Sequence, residues 1–397
     1  MKFYVESYGC TMNQGETEML ADEYISKGHQ RVKTLEEADM VIIGTCVVIT
    51  KTEARMRRRI KHLSSKCSNV IVTGCLTTTD RGIQNWCPGA STITPSEIPI
   101  TQDTGQKGPI GTIPISTGCL GMCSYCITKL ARGELKSRTP KQIMERFKSL
   151  ISNGTREIRL SCQDTASYGA DIQENLPDLL RQLCEIPGDH RIRIGMMNPD
   201  TAIPILYELI EVMRNEKIYN FVHLPLQSGS DKILWKMNRN YTVEDWIGVV
   251  EKLRKTFPSI TISTDVIVGF PGETDDDFKM TEKVLKTVRP DIVNITRFST
   301  RPGTPAADMK NRVHSRIKKE RSKILTDLHM EISRSINETY VGNISKVLIL
   351  EDGKEDTMIG RTDDYKVVVL KEKLTIGRWF DVKISGASEV YLLGKMI

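Results

Sequence analysis

Three cysteines fall within eight residues, Cys119, Cys123 and Cys126, spaced CxxxCxxC. The glycines among them, Gly118 and Gly121, let the backbone curl tightly. Residues 111–117 read as a short strand, which puts the loop at a strand's C-terminal end. Three thiolates on one tight loop hold three corners of an iron–sulfur cube and leave one iron without a protein ligand. A structural zinc site requires a fourth ligand and normally draws on two cysteine pairs. No second pair follows here, and the vacant iron is where chemistry would take place.

A second trio is dispersed. Strand-like runs at 3–7, 40–45 and 70–73 alternate with helical segments near 15–27, 52–65 and after 79. This rhythm predicts a doubly wound parallel sheet over residues 1–95. Right-handed crossovers bring the C-terminal ends of such strands to one edge, where ligands bind. Cys10, Cys46 and Cys75 each follow one of these strands. Taken alone they read either as core cysteines or as ligands of a second cluster with an open iron; no local zinc pattern is present. Cys67 and Cys87 follow no strand end and read as bystanders. A Thr-, Ser-, Pro- and Gly-rich stretch at 92–107 marks a linker.

The elements that carry the first trio lie in residues 108–335. Six strand-like runs, at 111–117, 156–161, 191–196, 221–225, 260–268 and 292–298, alternate with helical segments at 141–152, 176–185, 203–215, 231–256 and 275–288. Pro140 and Asn175 supply helix-start signals. The alternation predicts a partial (β/α)6 barrel, whose chemistry belongs at the C-terminal strand ends. Polar residues gather there: Gln163 and Asp164, Asn198, Gln227 and Ser228, Asp265, Arg297 and Ser299. Cys162 and Cys184 read as packing residues.

A helix over 312–336 leads to strand-rich residues 336–397, with runs at 345–350, 357–361, 366–370, 378–384 and 389–393. These predict a small antiparallel β-barrel of OB-like type. Its acids and bases nearly balance, and Tyr365, Trp379 and Phe380 read either as core residues or as stacking platforms.

Composition sets bounds on all of this. A charged fraction of 27% is ordinary for globular protein, and no apolar run reaches the roughly 20 residues of a membrane helix. The start, MKFYVESYGC, has no apolar signal core, so a cytoplasmic protein without membrane partners is expected. Ten cysteines without a secretory signal argue for metal or redox chemistry over disulfides. The net charge of +6 is concentrated in two runs. One comprises Arg55, Arg57, Arg58, Arg59, Lys61 and Lys66; the other comprises Arg312, Arg316, Lys318, Lys319, Arg321 and Lys323. Each reads either as a solvated helix face or as a set of candidate phosphate contacts.

The CxxxCxxC spacing, with Tyr125 before the last cysteine, resembles the radical S-adenosylmethionine (SAM) superfamily. The longer run STGCLGMCSYCITKLARG is similar to its methylthiotransferase family. So are SYGCTMNQGE, VTGCL, HLPLQSGSDKIL, TDVIVGFPGET and STRPGTPAA, in the family's order. The resemblance implies two 4Fe-4S clusters, one on Cys119, Cys123 and Cys126 and one on Cys10, Cys46 and Cys75. It also implies SAM at the first cluster, with Tyr125, Gln163, Gln227, Ser228 and Arg297 as contacts and the turn at 269–273 beside the adenine. The implied activity is cleavage of SAM to a 5′-deoxyadenosyl radical, hydrogen abstraction from substrate, sulfur insertion from the second cluster and methyl transfer from a second SAM. An electron donor and a sulfur source are implied partners, and the tail is implied to be a TRAM domain. TGCLGMCSYCITKLARGELKS and IRIGMMNP resemble the branch acting on threonylcarbamoyladenosine at position 37 of tRNA, in the anticodon stem-loop. Isopentenyladenosine in tRNA and a ribosomal-protein aspartate are the family's alternative substrates. A non-catalytic iron–sulfur RNA-binding or electron-transfer protein is the alternative of another class.

Overall fold

Met40–Thr45 reads MVIIGT and is buried along its whole length, as a central parallel strand covered on both faces must be. Around it the computed structural model describes residues 1–80, 82–100 and 108–397. The last part of the expected linker, 101–107, lies outside the described residues. The chain forms two units: residues 1–154 with 158–186 and 299–308, and residues 155–157 with 187–298 and 309–397.

The first unit opens with β1 (Lys2–Ser7), α1 (Thr11–Ser26), β2 (Gln30–Arg31), β3 (Met40–Thr45), α2 (Thr50–Lys66), β4 (Val70–Gly74), α3 (Leu76–Thr79), α4 (Ile83–Trp86) and β5 (Ala90–Thr92). The five strands form one sheet in the order β2-β1-β3-β4-β5, all in parallel. The expected doubly wound sheet is present, with β2 and β5 added at its edges. Helix α2 buries Met56, Ile60 and Leu63, spaced to share one face. Each contributes roughly 1.5–3 kcal/mol of apolar burial.

The unit continues with β6 (Ile110–Pro114), β7 (Ser116–Thr117), α5 (Ile127–Arg132), β8 (Lys136–Ser137), α6 (Pro140–Ser152), β9 (Glu157–Ser161, all but its first residue) and α7 (Leu176–Glu185). Pro140 begins α6 behind a Thr139–Gln142 capping box. Asn175 caps α7 by accepting from the Asp178 N–H at 2.9 Å. Both start signals therefore act as expected. The short helix α5, directly after the cysteine loop, is an element the sequence reading lacked.

The second unit holds β10 (Arg191–Arg193), α8 (Pro199–Met213), β11 (Phe221–His223), α9 (Asp231–Lys236), α10 (Val243–Thr256), β12 (Thr261–Val268), α11 (Asp275–Val288) and β13 (Ile292–Arg297). Strands β11, β12 and β13 are parallel neighbours, and parallel bridges Ile192–Ile218 and Met196–His223 tie the β10 segment to β11. The six expected barrel strands and their helices thus occur in order. Helix α12 (Ser315–Glu338) then leads into β14 (Ile344–Asp352), β15 (Met358–Thr362), β16 (Val367–Leu370), β17 (Trp379–Ala387) and β18 (Leu392–Met396). These close a barrel in the order β14-β15-β16-β18-β17 around Val347, Ile349, Val368, Val382 and Ile384. One of its pairings, β16 with β18, is parallel.

Candidate functional site

In the first unit β1, β3 and β4 are adjacent, and Cys10, Cys46 and Cys75 follow their C-terminal ends. The strand order places a switch point between β1 and β3, the place where such sheets open a crevice. Cys75 N–H donates to Thr45 O at 3.0 Å, and Tyr8 N–H donates to Gly44 O at 3.0 Å. Two glycines make the approach feasible. Gly9 has φ +103°, and a Cβ on it would stand 2.8 Å from Cys46 Cβ; Gly74 has φ +88°, and a Cβ there would stand 2.4 Å from Thr45 O. The side chain missing at Gly9 lets the chain pass against Cys46, and the one missing at Gly74 lets it pack on the Thr45 backbone.

Cys10 is exposed, whereas Cys46 and Cys75 are buried. Burial raises the Cys46 thiol and pushes Cys75 up to about 11, and the nearby Cys10 raises both further. The Arg132 guanidinium opposes this at both. Cys10 is also the N-cap of the 16-residue α1.

Arg132, the last residue of α5, is held in this crevice. Its Nε lies 3.3 Å from Cys75 Sγ. Its two terminal nitrogens bond Glu16 Oε1 at 2.5 Å and Oε2 at 2.8 Å, and one also bonds Asn13 Oδ1 at 2.5 Å. Asn13 in turn donates to Thr45 O at 2.8 Å. Arg132, Glu16 and Asn13 lay within the quoted ITKLARG and TMNQGE runs but were not singled out. An ion pair between such distant positions leaves no trace in local sequence pattern.

The loop of the other trio is pinned at both ends. Gly118 has φ +77°, and a Cβ on it would overlap Glu134 O at 1.8 Å. Lys129 Nζ donates to Cys119 O at 2.6 Å, and Ala306 N–H donates to Ser124 O at 2.8 Å. Gly121 N–H points at Cys119 Sγ from 3.2 Å. Burial pushes Cys119 up to about 12, and Asp164, Cys123 and Cys126 add to that rise. A Cys119 sulfur that resists ionisation in this way suits a cationic iron core, which would remove the repulsion.

Among the described residues no three Cys, His, Asp or Glu groups stand ready to hold a single metal ion. Cysteine thiolates in threes are the donors that an iron–sulfur cube with an open iron takes. Both trios fit such a group by donor type and by number. Cys67 and Cys87 belong to the core beneath α2, and Cys87 Sγ meets Ser64 Oγ at 2.9 Å. They are structural, as expected. Tyr125 is half-buried within the loop. Gln163 turns its Nε2 to Met12 and leaves Oε1 buried without a protein hydrogen bond.

In the second unit Gln227 adopts φ +64°, a left-handed conformation costly for a non-glycine residue. Its N–H donates to Asp265 O at 2.8 Å, and its Oε1 is buried without a protein partner. Ser228 is 1% exposed and accepts from Ser230 N–H at 3.2 Å. Asp265 Oδ1 is shared by His223 Nε2 at 3.0 Å and Asn294 Nδ2 at 2.8 Å. Arg297 is exposed at the end of β13. The turn at 269–273 is braced by Gly269 N–H to Glu273 Oε2 at 2.7 Å and by Glu273 paired with Arg321. Arg321 and Lys318, whose Nζ reaches Phe298 O at 3.1 Å, are thus structural members of the second basic run.

The aromatic platforms expected in the tail are engaged within this unit. Tyr365 is buried, packs on Tyr219 and Phe221 with ring centroids 4.8 Å from each, and donates to Glu157 Oε1 at 3.2 Å. Trp379 lies under Arg191 at 4.3 Å and donates to Asp189 Oδ1 at 3.0 Å. Phe380 packs against the small barrel's core. The expectation of free stacking faces at Tyr365 and Trp379 is corrected: the turn that carries Tyr365 serves to dock the tail.

Comparison with known proteins agrees with this layout. Residues 2–85 match the uncharacterized protein family UPF0004, residues 113–285 the radical SAM superfamily, and residues 338–397 the TRAM domain. The fold is similar to the radical S-adenosylmethionine methyltransferase TsrM of Kitasatospora setae, with a TM-score of 0.58, 13% identity, and 77% of this chain and 76% of that one covered. These define a radical SAM enzyme with an N-terminal and a C-terminal accessory module. The particular family follows from curated relatives. The probable threonylcarbamoyladenosine tRNA methylthiotransferase of Methanocaldococcus jannaschii is 40% identical over 100% of this chain and 97% of its own. The threonylcarbamoyladenosine tRNA methylthiotransferase of Drosophila melanogaster is 33% identical over 100% of this chain and 78% of its own. The chain belongs to the threonylcarbamoyladenosine tRNA methylthiotransferases, radical SAM enzymes that use SAM and two 4Fe-4S clusters.

Proposed function

We propose that this protein converts N6-threonylcarbamoyladenosine at position 37 of tRNA to its 2-methylthio derivative. The observation that carries this reading is the pair of cysteine trios in one unit. Cys119, Cys123 and Cys126 would hold the cluster that binds SAM, and Cys10, Cys46 and Cys75 the cluster that holds sulfur. When bound, these groups supply reductive cleavage of SAM and the sulfur atom to be inserted. The chain's own part is to place and enclose. Tyr125, Gln163, Gln227, Ser228 and Arg297 are the candidate SAM contacts. The buried, unpartnered amide oxygens of Gln163 and Gln227 support such a role, because a buried acceptor calls for a donor.

The exposed face of α2 supports an RNA partner, specifically the anticodon stem-loop. Arg57 and Arg59 are spent on Glu53 and Asp80 and on Glu6. Lys51, Arg55 and Arg58 are exposed and share one helical face by their spacing. They begin five residues beyond Cys46. An electron donor, a sulfur source and a cytoplasmic location complete the proposal. So does a division into modules at 1–95, 108–335 and 336–397. Among the described residues no helix is long and apolar enough to cross a membrane.

The test is mass spectrometry of hydrolysed tRNA after reaction of anaerobically reconstituted protein with SAM and threonylcarbamoyladenosine-containing tRNA. The expected result is a 2-methylthio nucleoside together with 5′-deoxyadenosine. Unmodified tRNA alongside an altered ribosomal-protein mass would overturn the reading.

A further inference from the structure

We propose that Arg132 is a positioning residue that sets the reduction potential of the cluster on Cys10, Cys46 and Cys75, with Glu16 as its counterweight. This rests on the two-trio reading above.

The geometry is directional. One edge of the guanidinium, Nε, faces Cys75 Sγ at 3.3 Å. The opposite edge is clamped by both oxygens of Glu16 at 2.5 and 2.8 Å. The sulfur therefore meets the cation first and the carboxylate behind it. Arg132 and Glu16 side chains are 1% and 2% exposed, so water does not screen them, and a fixed charge acts strongly in such surroundings. Arginine does not lose its proton in proteins, so this positive charge is permanent.

A reduced cluster carries one more negative charge than an oxidised one. A buried cation, and an N–H aimed at a ligand sulfur, both stabilise the reduced form and raise the potential. Glu16 moderates that effect and fixes where the cation sits. Its clamp also fixes the end of α5, whose N-cap is Cys126 of the other trio. The six residues of α5 rise about 9 Å at 1.5 Å each. One short helix thus carries a ligand of the SAM-binding loop at its start and the charge beside the other cluster at its end. Thr78 Oγ1 of α3 donates to Ala131 O at 2.6 Å, which ties that end to the helix following Cys75.

The experiment is a redox titration followed by electron paramagnetic resonance on the full-length C119A/C123A/C126A protein, reconstituted anaerobically so that only the second cluster is present. Arg132→Gln and Glu16→Gln are then introduced separately. Arg132→Gln should lower the midpoint potential, and Glu16→Gln should raise it. Each should move by at least a tenfold change in the one-electron equilibrium, which is 59 mV. Arg132→Lys, which keeps the charge, should fall between the parent and Arg132→Gln.

Shifts of opposite sign support the proposal, because a purely structural role gives none. A cluster present in both variants with the parent's potential overturns it. So does loss of the cluster in Arg132→Gln with an unchanged potential in Glu16→Gln. If the parent triple variant binds no iron, the two-trio reading itself fails, and iron analysis separates that result from the others.

Discussion

Glu16 and Arg132, 116 residues apart in the chain, meet through two hydrogen bonds of 2.5 and 2.8 Å. The first stands in the second turn of α1, six residues after Cys10, and the second closes α5, six residues after Cys126. A buried pair of this kind is most sensitive to loss of one member, since the survivor is left charged and desolvated. Glu16→Leu should cost about 3–5 kcal/mol in the metal-free protein, read as a lowered melting temperature. The double variant Glu16→Leu with Arg132→Met should recover most of it. A double variant as unstable as the single one would show that the site needs the charges for folding itself.

The two trios should separate the two halves of the reaction. Changing Cys10, Cys46 and Cys75 to alanine is expected to halve the bound iron and abolish the methylthio product while SAM is still cleaved to 5′-deoxyadenosine. The corresponding change at Cys119, Cys123 and Cys126 should abolish both products. Iron analysis and chromatography of the reaction mixture read this directly. Loss of 5′-deoxyadenosine in the first variant would contradict the assignment.

The cationic face of α2 makes a salt-dependent prediction. Replacing Arg55 and Arg58 by glutamine should weaken tRNA binding, with the slope of log affinity against log salt falling by about 0.7–0.9 for each phosphate contact removed. Arg57→Gln should act differently. That side chain is held by Glu53 at 3.1 Å and Asp80 at 2.5 Å, so its loss should lower stability and leave the slope alone. Equal slopes in every variant would remove α2 from the RNA interface.

Much of this was legible from residue order because central strands declare themselves. Met40–Thr45 and Val70–Gly74 are continuous apolar runs, and the barrel strands recur between capped helices. Gln30–Arg31 and Ala90–Thr92 escaped because two- and three-residue edge strands carry no alternation to read. Helix α5 escaped because its six residues are too few to show a helical period. The cysteines could be assigned to strand ends, yet the charge beside them could not. Nothing local in ITKLARG says that its arginine turns toward Cys75. Tyr365 misled for a related reason: an aromatic in a turn looks exposed until a neighbouring surface covers it, here Tyr219, Phe221 and Glu157.

That docking turn carries its own prediction. Lys366 Nζ and Asp291 Oδ1 lie 2.5 Å apart with side chains 9% and 6% exposed, and Asp291 Oδ2 also accepts from Ile262 N–H at 2.9 Å. Lys366→Met should destabilise by about 3–5 kcal/mol through the stranded carboxylate. Lys366→Met with Asp291→Asn should be milder, since the amide oxygen can keep the bond from Ile262. Thermal melts of the three proteins would check the order. A single variant no less stable than wild type would mean that the pair contributes nothing to holding the turn.

His190 gives the acid limb of stability. It is fully buried, and burial first, then the nearby Lys217 and Arg191, lower its pKa from 6.5 to about 4. Below pH 6.5 the unfolded chain takes up a proton that the folded chain refuses until about pH 4. The unfolded state therefore binds more protons across that window, and stability must fall as pH falls through it. The full contribution is about 3 kcal/mol, present at neutral pH and spent near pH 4. His190→Gln removes the titration, so its stability difference between pH 7.5 and pH 4.5 should be smaller than wild type's by about 2 kcal/mol. Urea denaturation at the two pH values measures this, and parallel pH slopes for the two proteins would place the acid sensitivity elsewhere.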